Sequence, residues 1–168
     1  ALTEASSTYD AAGIKVKAVA DGNDFVINGT KLFVTDAHVA DYLLCVTRTK
    51  SGRNKQEGIT LFLVDARSPG TSCTLLKTFT GDKKCEVIFK NVRVPKAKML
   101  GKLDQGWKMV DELIGLAAFL QCPWMVGGTQ QALDMAVAYA KERVQFARPI
   151  GRFQALQTKL ANTQVDVV

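Results

Sequence analysis

Over residues 1–103 the apolar positions come in short runs, many alternating with polar ones. CEVIFKNVRVP, residues 85–95, alternates along most of its length and stops at Pro95, which cannot donate to a ladder. FVI and TKLFVT flank Asn28-Gly29. A type I′ turn needs positive φ at both central positions, and Asn-Gly serves it best, so the pattern predicts a hairpin there. DGND, residues 21–24, predicts an earlier turn between IKVKAVA and FVI. ADYLLCVTRT and GITLFLVDA then read as strands, with KSGRNKQEG as the loop between them. Ser68-Pro69-Gly70 ends the second, and CTLLKTF follows. Strands at this spacing predict a small antiparallel β-barrel or sandwich.

From about Gln105 the period changes. Met109, Val110, Leu113, Ile114, Leu116, Ala117 and Leu120 recur at three and four residues, the stripe of a helix. Pro123 fits the first turn of a next helix, which carries Met125, Val126, Thr129, Ala132, Leu133, Ala136, Val137 and Ala140. Gly127 and Gly128 each cost about 1 kcal/mol against alanine inside it, so they are expected where another backbone comes close. Pro149 breaks the pattern, and RFQALQTKLANTQVDVV starts a third helix. The fold class is therefore α+β: a β domain over residues 1–103, then part of an antiparallel four-helix bundle over 104–168. Three helices with broad apolar faces need further chain or another subunit to cover them.

Composition narrows the chemistry. Apolar residues make up 47% and charged ones 23%, enough for a core and too apolar for disorder. No stretch reads as continuously apolar for the ~20 residues of a membrane span. The formal net charge is +6, which suits an anionic partner such as a phosphorylated cofactor or coenzyme A. The lysines are scattered, with no basic stripe interleaved with aromatics, so nucleic acid is not the expected partner. Cys45, Cys73, Cys85 and Cys122 form no CxxC pair and read as reduced, mostly buried thiols. His38 is the sole histidine, which argues against a zinc site or a Ser–His–Asp apparatus. ALTEASSTYD has neither an initiating methionine nor a signal-peptide pattern, so the sequence is expected to begin in mid-protein.

RVQFARPIGRFQALQ, residues 143–157, is over-equipped for packing: three arginines, a proline and three glutamines sit among its apolar residues. It belongs to a set of four stretches that resembles the flavin-dependent acyl-CoA dehydrogenases. ALTEASSTYDAA resembles the family's LTEPGAGSD segment, and FVINGTKLFVTDAHVADYLLCVTRT its NGxKxWITNxxxAD run. VRVPKAKMLGKLDQGW is similar to VRVPxxNxLGxxxxGF, and ALDMAVAYAKERVQFARPIGRFQALQTKLA to ALxxAxxYAxxRxQFGRPIxxFQxxQxxLA. The likeness runs through essentially the whole chain, in order.

The resemblance implies a middle β domain and the first part of a C-terminal bundle, without the family's N-terminal helical domain and distal bundle helices. It implies FAD as cofactor. Leu2 and Thr3 would reach the flavin edge, and Phe33, Val34 and Thr35 would lie against the ring and its N5 side. Phe33 stands where the family usually has tryptophan. Thr8 and Tyr9 would lie at the acyl-CoA mouth, although the family's glycines are lost there. The hook at 143–154 would cross a subunit interface to the neighbour's FAD. Arg143 would hold the pyrophosphate. Gln145 and Gln154 would add hydrogen bonds, and Phe146, Ile150 and Phe153 would cover apolar parts. Ala147 replaces a family glycine, and any demand for positive φ there would cost stability. Arg148 and Arg152 are read as surface charges.

The implied reaction is α,β-desaturation of an acyl-CoA thioester, with a carboxylate taking the α-proton and flavin N5 the β-hydride. No residue of this chain is expected to be the base. Where some members carry it on the first bundle helix, this chain has Ala117 and Ala118. Asp111 and Glu112 read as first-turn helix charges. The implied partners are acyl-CoA, an electron-transfer flavoprotein, and further subunits as a dimer of dimers or a hetero-oligomer. The implied setting is fatty-acid β-oxidation, in a bacterial cytoplasm or a mitochondrial matrix. Two alternatives stay open: a non-catalytic partner subunit, and a related flavin monooxygenase.

Overall fold

The computed structural model describes residues 1–167, so the end of the last predicted helix, Val168, lies outside the described residues. It divides into two compact units, residues 1–114 and 115–168.

The first unit is one seven-stranded sheet, ordered β5-β6-β2-β1-β3-β4-β7. The strands are β1 Lys17–Asp21, β2 Asp24–Thr35, β3 Tyr42–Arg48, β4 Ile59–Asp65, β5 Thr71–Leu76, β6 Lys84–Pro95 and β7 Met99–Leu100. All neighbours are antiparallel except β1 and β3. Phe25 on β2 and Phe62 on β4 lie three places apart in that order, yet their ring centroids are 4.8 Å apart. The sheet therefore curls on itself and packs its inner face as a core. The expected barrel or sandwich takes this form, with β5 and β7 as edges. Val16, Ile27, Val64, Val87 and Val92 fill that core, and Ile14, Ile59, Leu61, Trp107 and Val110 form a second cluster.

The DGND turn joins β1 to β2 as predicted. The Asn28-Gly29 hairpin does not form: β2 runs straight through it, paired along its length with β6. Two features of the fold account for the dipeptide. Asn28 Oδ1 accepts from the Asn91 N–H at 2.8 Å, and Asn91 sits at φ 52 in a bulge of β6. Gly29 has φ 139, and a Cβ there would lie 2.8 Å from Val16 Cγ2, so only glycine fits.

The helical part also departs from expectation. One α-helix, α1, spans Trp107–Glu142 with Pro123 inside it, where a break into two helices was predicted. Proline's φ suits a helix, and what it removes is one donor to the carbonyl four residues back. Residues 107–114 belong to the first unit and the remainder to the second. Gly127 and Gly128 have open space where a Cβ would be, with no backbone close by among the described residues. Asp111 and Glu112 fall beyond the first turn, and Glu112 lies 3.9 Å from Lys108 on the exposed face. By length and composition α1 is apolar enough to cross a membrane, which corrects the expectation that no stretch is. A two-stranded hairpin, β8 Val144–Gln145 and β9 Arg148–Pro149, follows, then α2 Gln154–Val167. All four cysteines are free. Cys45 and Cys85 are buried, but Cys73 and Cys122 are exposed, so half of the set departs from the burial expected.

Candidate functional site

The N-terminal segment is lashed to β2 by a buried ion pair. Lys31 Nζ lies 2.8 Å from Glu4 Oε1 and donates to the Leu2 carbonyl at 2.9 Å. Glu4 in turn accepts from the main-chain N–H groups of Lys15 and Val16 at 2.9–3.1 Å. Lys31 is fully buried and Glu4 nearly so. The Leu32 N–H donates to the Thr3 carbonyl at 2.9 Å. Leu2 and Thr3 are thereby held alongside the outer half of β2. Periodicity gave no sign of this, because a lysine on an alternating strand reads as solvent-facing.

Directly after Lys31 the strand is bulged. Lys31 pairs with Val87 and Val34 with Cys85, so Leu32 and Phe33 oppose Glu86 alone. Phe33 has φ 56, a left-handed conformation that costs a bulky residue free energy. Its ring is 48% exposed. Val34 returns to the core, so it can offer a ligand its main chain only. Thr35 is exposed, and its Oγ1 accepts from Lys84 Nζ at 2.8 Å. Phe33 and Thr35 are thus exposed on a stretch of β2 to which Leu2 and Thr3 are tied through their carbonyls, with the Leu2 side chain against the second core cluster. Replacing Phe33 with glycine should leave the unit as stable or slightly more so, since glycine adopts positive φ freely. If the strain serves a ligand, the same change weakens FAD binding by the full-length protein. Thermal melting and FAD titration of the parent and the variant check both halves.

Thr8 and Tyr9 lie in the preceding loop. The Thr8 hydroxyl is turned inward, 3.2 Å from Ser6 Oγ and 3.4 Å from Asp10 Oδ1, against Gly13, where a Cβ would clash with it at 2.3 Å. Tyr9 is 66% exposed.

In the second unit, α1 ends at Glu142 and the chain turns back through β8 and β9. Their two-residue turn is Phe146-Ala147, with φ 52 and 62. Positive φ at both positions defines a type I′ turn. The conditional cost at Ala147 is therefore incurred. Ala147→Gly should raise the melting temperature by roughly 2–4 °C, from about 1 kcal/mol of relieved strain. An unchanged melting curve would contradict this.

The Phe146 ring is 87% exposed at the tip, edge-on to Phe153 with centroids 6.1 Å apart. The Arg148 guanidinium stacks on Phe153, 4.3 Å from its centroid, so Arg148 is more than a free surface charge. Gln145 and Gln154 are exposed, while Ile150 is half-buried. Arg143 donates its main-chain N–H to Tyr139 O and accepts from Ile150 N through its carbonyl. Its side chain is exposed and makes no ion pair among the described residues. An unpaired guanidinium at the base of a hairpin whose tip carries an outward phenyl suits a ligand with an anionic linker and a flat, apolar ring. The strip on β2, with an outward ring, a hydroxyl and ordered carbonyls, suits the edge and face of such a ring. Both sets of donors fit FAD.

The family described as "Acyl-CoA dehydrogenase, middle domain" matches residues 1–92, and "Acyl-CoA dehydrogenase, C-terminal domain" matches 104–168. The chain belongs to the acyl-CoA dehydrogenase family. It is 35% identical to the 3-(aryl)acrylate reductase of Clostridium sporogenes, over 99% of this chain and 45% of that protein. It is 33% identical to the caffeyl-CoA reductase-Etf complex subunit CarC of Acetobacterium woodii, over 96% of this chain and 43% of that protein. A glutaryl-CoA dehydrogenase from Mycobacterium smegmatis, crystallised with FADH2, superposes with a TM-score of 0.86 at 27% identity, over 99% of this chain and 42% of that one. The chain thus spans a little under half the length of the relatives it matches. The match to the C-terminal domain includes α1.

Proposed function

We propose that the full-length protein carrying this chain is an FAD-dependent oxidoreductase acting on the α,β bond of an acyl-CoA thioester, working as a dehydrogenase. The observation that carries the reading is the strained Phe33 bulge, set beside the lashed Leu2-Thr3 segment on a sheet of this family. Bound FAD would supply the two-electron acceptor that side chains lack. Leu2 and Thr3 present main-chain groups and a hydroxyl to the flavin edge. Phe33 covers a face of the ring, the main chain of Val34 lies beside it, and Thr35 donates at its N5 side. Thr8 and Tyr9 stand at the acyl-CoA mouth, with Tyr9 free to bond and Thr8 shaping the loop. Arg143 holds the pyrophosphate of a neighbouring copy's cofactor, with Gln145 and Gln154 bonding it and Phe146, Ile150 and Phe153 covering it.

On this reading an oligomer is needed to complete each site, and an electron-transfer flavoprotein takes the electrons onward. The four free thiols suit a reducing compartment, cytoplasm or mitochondrial matrix. The boundary between the two family domains falls near residue 103, within the first compact unit, and the base that takes the α-proton comes from outside this segment. The test is direct. Purified full-length protein should carry about one FAD per chain and bleach when an acyl-CoA is added. A colourless protein that takes up no added FAD overturns the reading. Ala117 and Ala118, exposed on α1, favour one second reading: a non-catalytic subunit that gains activity only when mixed with a base-bearing partner chain.

A further inference from the structure

Thr35 and Lys84 face each other at the end of the β2–β6 ladder. Lys84 Nζ donates to Thr35 Oγ1 at 2.8 Å. An ammonium has donors only, so the threonine oxygen must accept, and its single O–H proton must point elsewhere. Accepting from a cation also polarises that O–H and makes it a better donor. The lysine's backbone is fixed: Lys84 pairs with Thr35, and the Asp36 N–H donates to Lys83 O at 2.9 Å. Its head group also lies 3.8 Å from Asp82 Oδ2. Thr35 lies two residues past the strained Phe33, on the exposed side of the strand.

We infer that Lys84 is a positioning residue for the flavin: it commits the Thr35 hydroxyl to donating toward the ring and sets a positive charge behind that bond. The inference rests on the reading that Phe33 and Thr35 line the flavin. Reduction adds electron density to the ring edge. An ammonium held behind Thr35 favours that added negative charge over the neutral oxidised ring, so the bound cofactor's potential rises. Asp82 opposes this and sets how much of the lysine's charge is felt.

The experiment uses the full-length flavoprotein and reads the midpoint potential of bound FAD by spectroelectrochemistry, alongside FAD content and thermal melting. Lys84→Met should cut the preference for reduced over oxidised flavin about tenfold, a fall of about 30 mV for a two-electron couple. Lys84→Arg should restore most of it. In Thr35→Val the effect of Lys84→Met should shrink, since the two act through one bond. Asp82→Asn should move the potential the opposite way, upward, and decides the matter if Lys84→Met does not fold. With FAD fully bound, an unchanged potential in Lys84→Met, or no rise in Asp82→Asn, overturns the inference and leaves the flavin reading intact. Failure of every form to bind FAD overturns both.

Discussion

Lys31→Met is expected to destabilise the sheet unit by about 3–5 kcal/mol, the largest effect of any single substitution considered. The lysine is fully buried, and its ammonium is shared between Glu4 Oε1 and the Leu2 carbonyl. Methionine fills much of the same volume but leaves the Glu4 carboxylate without its counter-charge. Glu4 keeps its bonds from the Lys15 and Val16 N–H groups, which soften the loss without neutralising it. The double change Glu4→Gln with Lys31→Met should recover most of the stability, because the uncompensated charge is then gone. Urea unfolding of both variants measures it. A single variant within 1 kcal/mol of the parent would mean that the pair is not the strut it resembles. A domain's whole stability is typically about 5–15 kcal/mol, so the loss would endanger folding at physiological temperature.

Arg143→Gln is expected to weaken FAD retention by the full-length oligomer about 10- to 100-fold, the worth of a charge-assisted bond to a phosphate. The guanidinium has no internal ion pair to lose among the described residues, so melting temperature and oligomeric state should hardly move. That separation of effects distinguishes a ligand role from a structural one. Arg143→Lys should be only partly effective, because an ammonium cannot present two parallel donors. FAD retention equal to the parent's in Arg143→Gln would remove the hook from the cofactor site.

Much of the sheet was legible because alternation is a local signal. CEVIFKNVRVP becomes β6 and ends at Pro95, and DGND makes its turn. Asn28-Gly29 misled because a dipeptide that suits a type I′ turn also suits a bulge where Val16 crowds the backbone. The I′ turn that does form, Phe146-Ala147, carries neither asparagine nor glycine, so turn chemistry gave no warning of it. Pro123 misled in the other direction: a proline is usually a boundary, but long helical stretches on both sides tolerate one lost donor. The site residues came from the resemblance. Their physical arrangement did not. That Phe33 is strained outward, Val34 is sunk in the core and Lys31 is buried follows from a register shift that no pattern of single residues displays.

The two irregularities of the β2–β6 ladder cancel. β6 carries one surplus residue opposite Asn28, and β2 carries one opposite Glu86. Between them the inward parity is kept on both strands: Ile27, Lys31 and Val34 face Val92, Val87 and Cys85. Deleting Phe33 alone would set Leu32 opposite Glu86 and leave Val34 on Cys85 and Thr35 on Lys84, so the ladder should absorb that loss in register while giving up its outward ring.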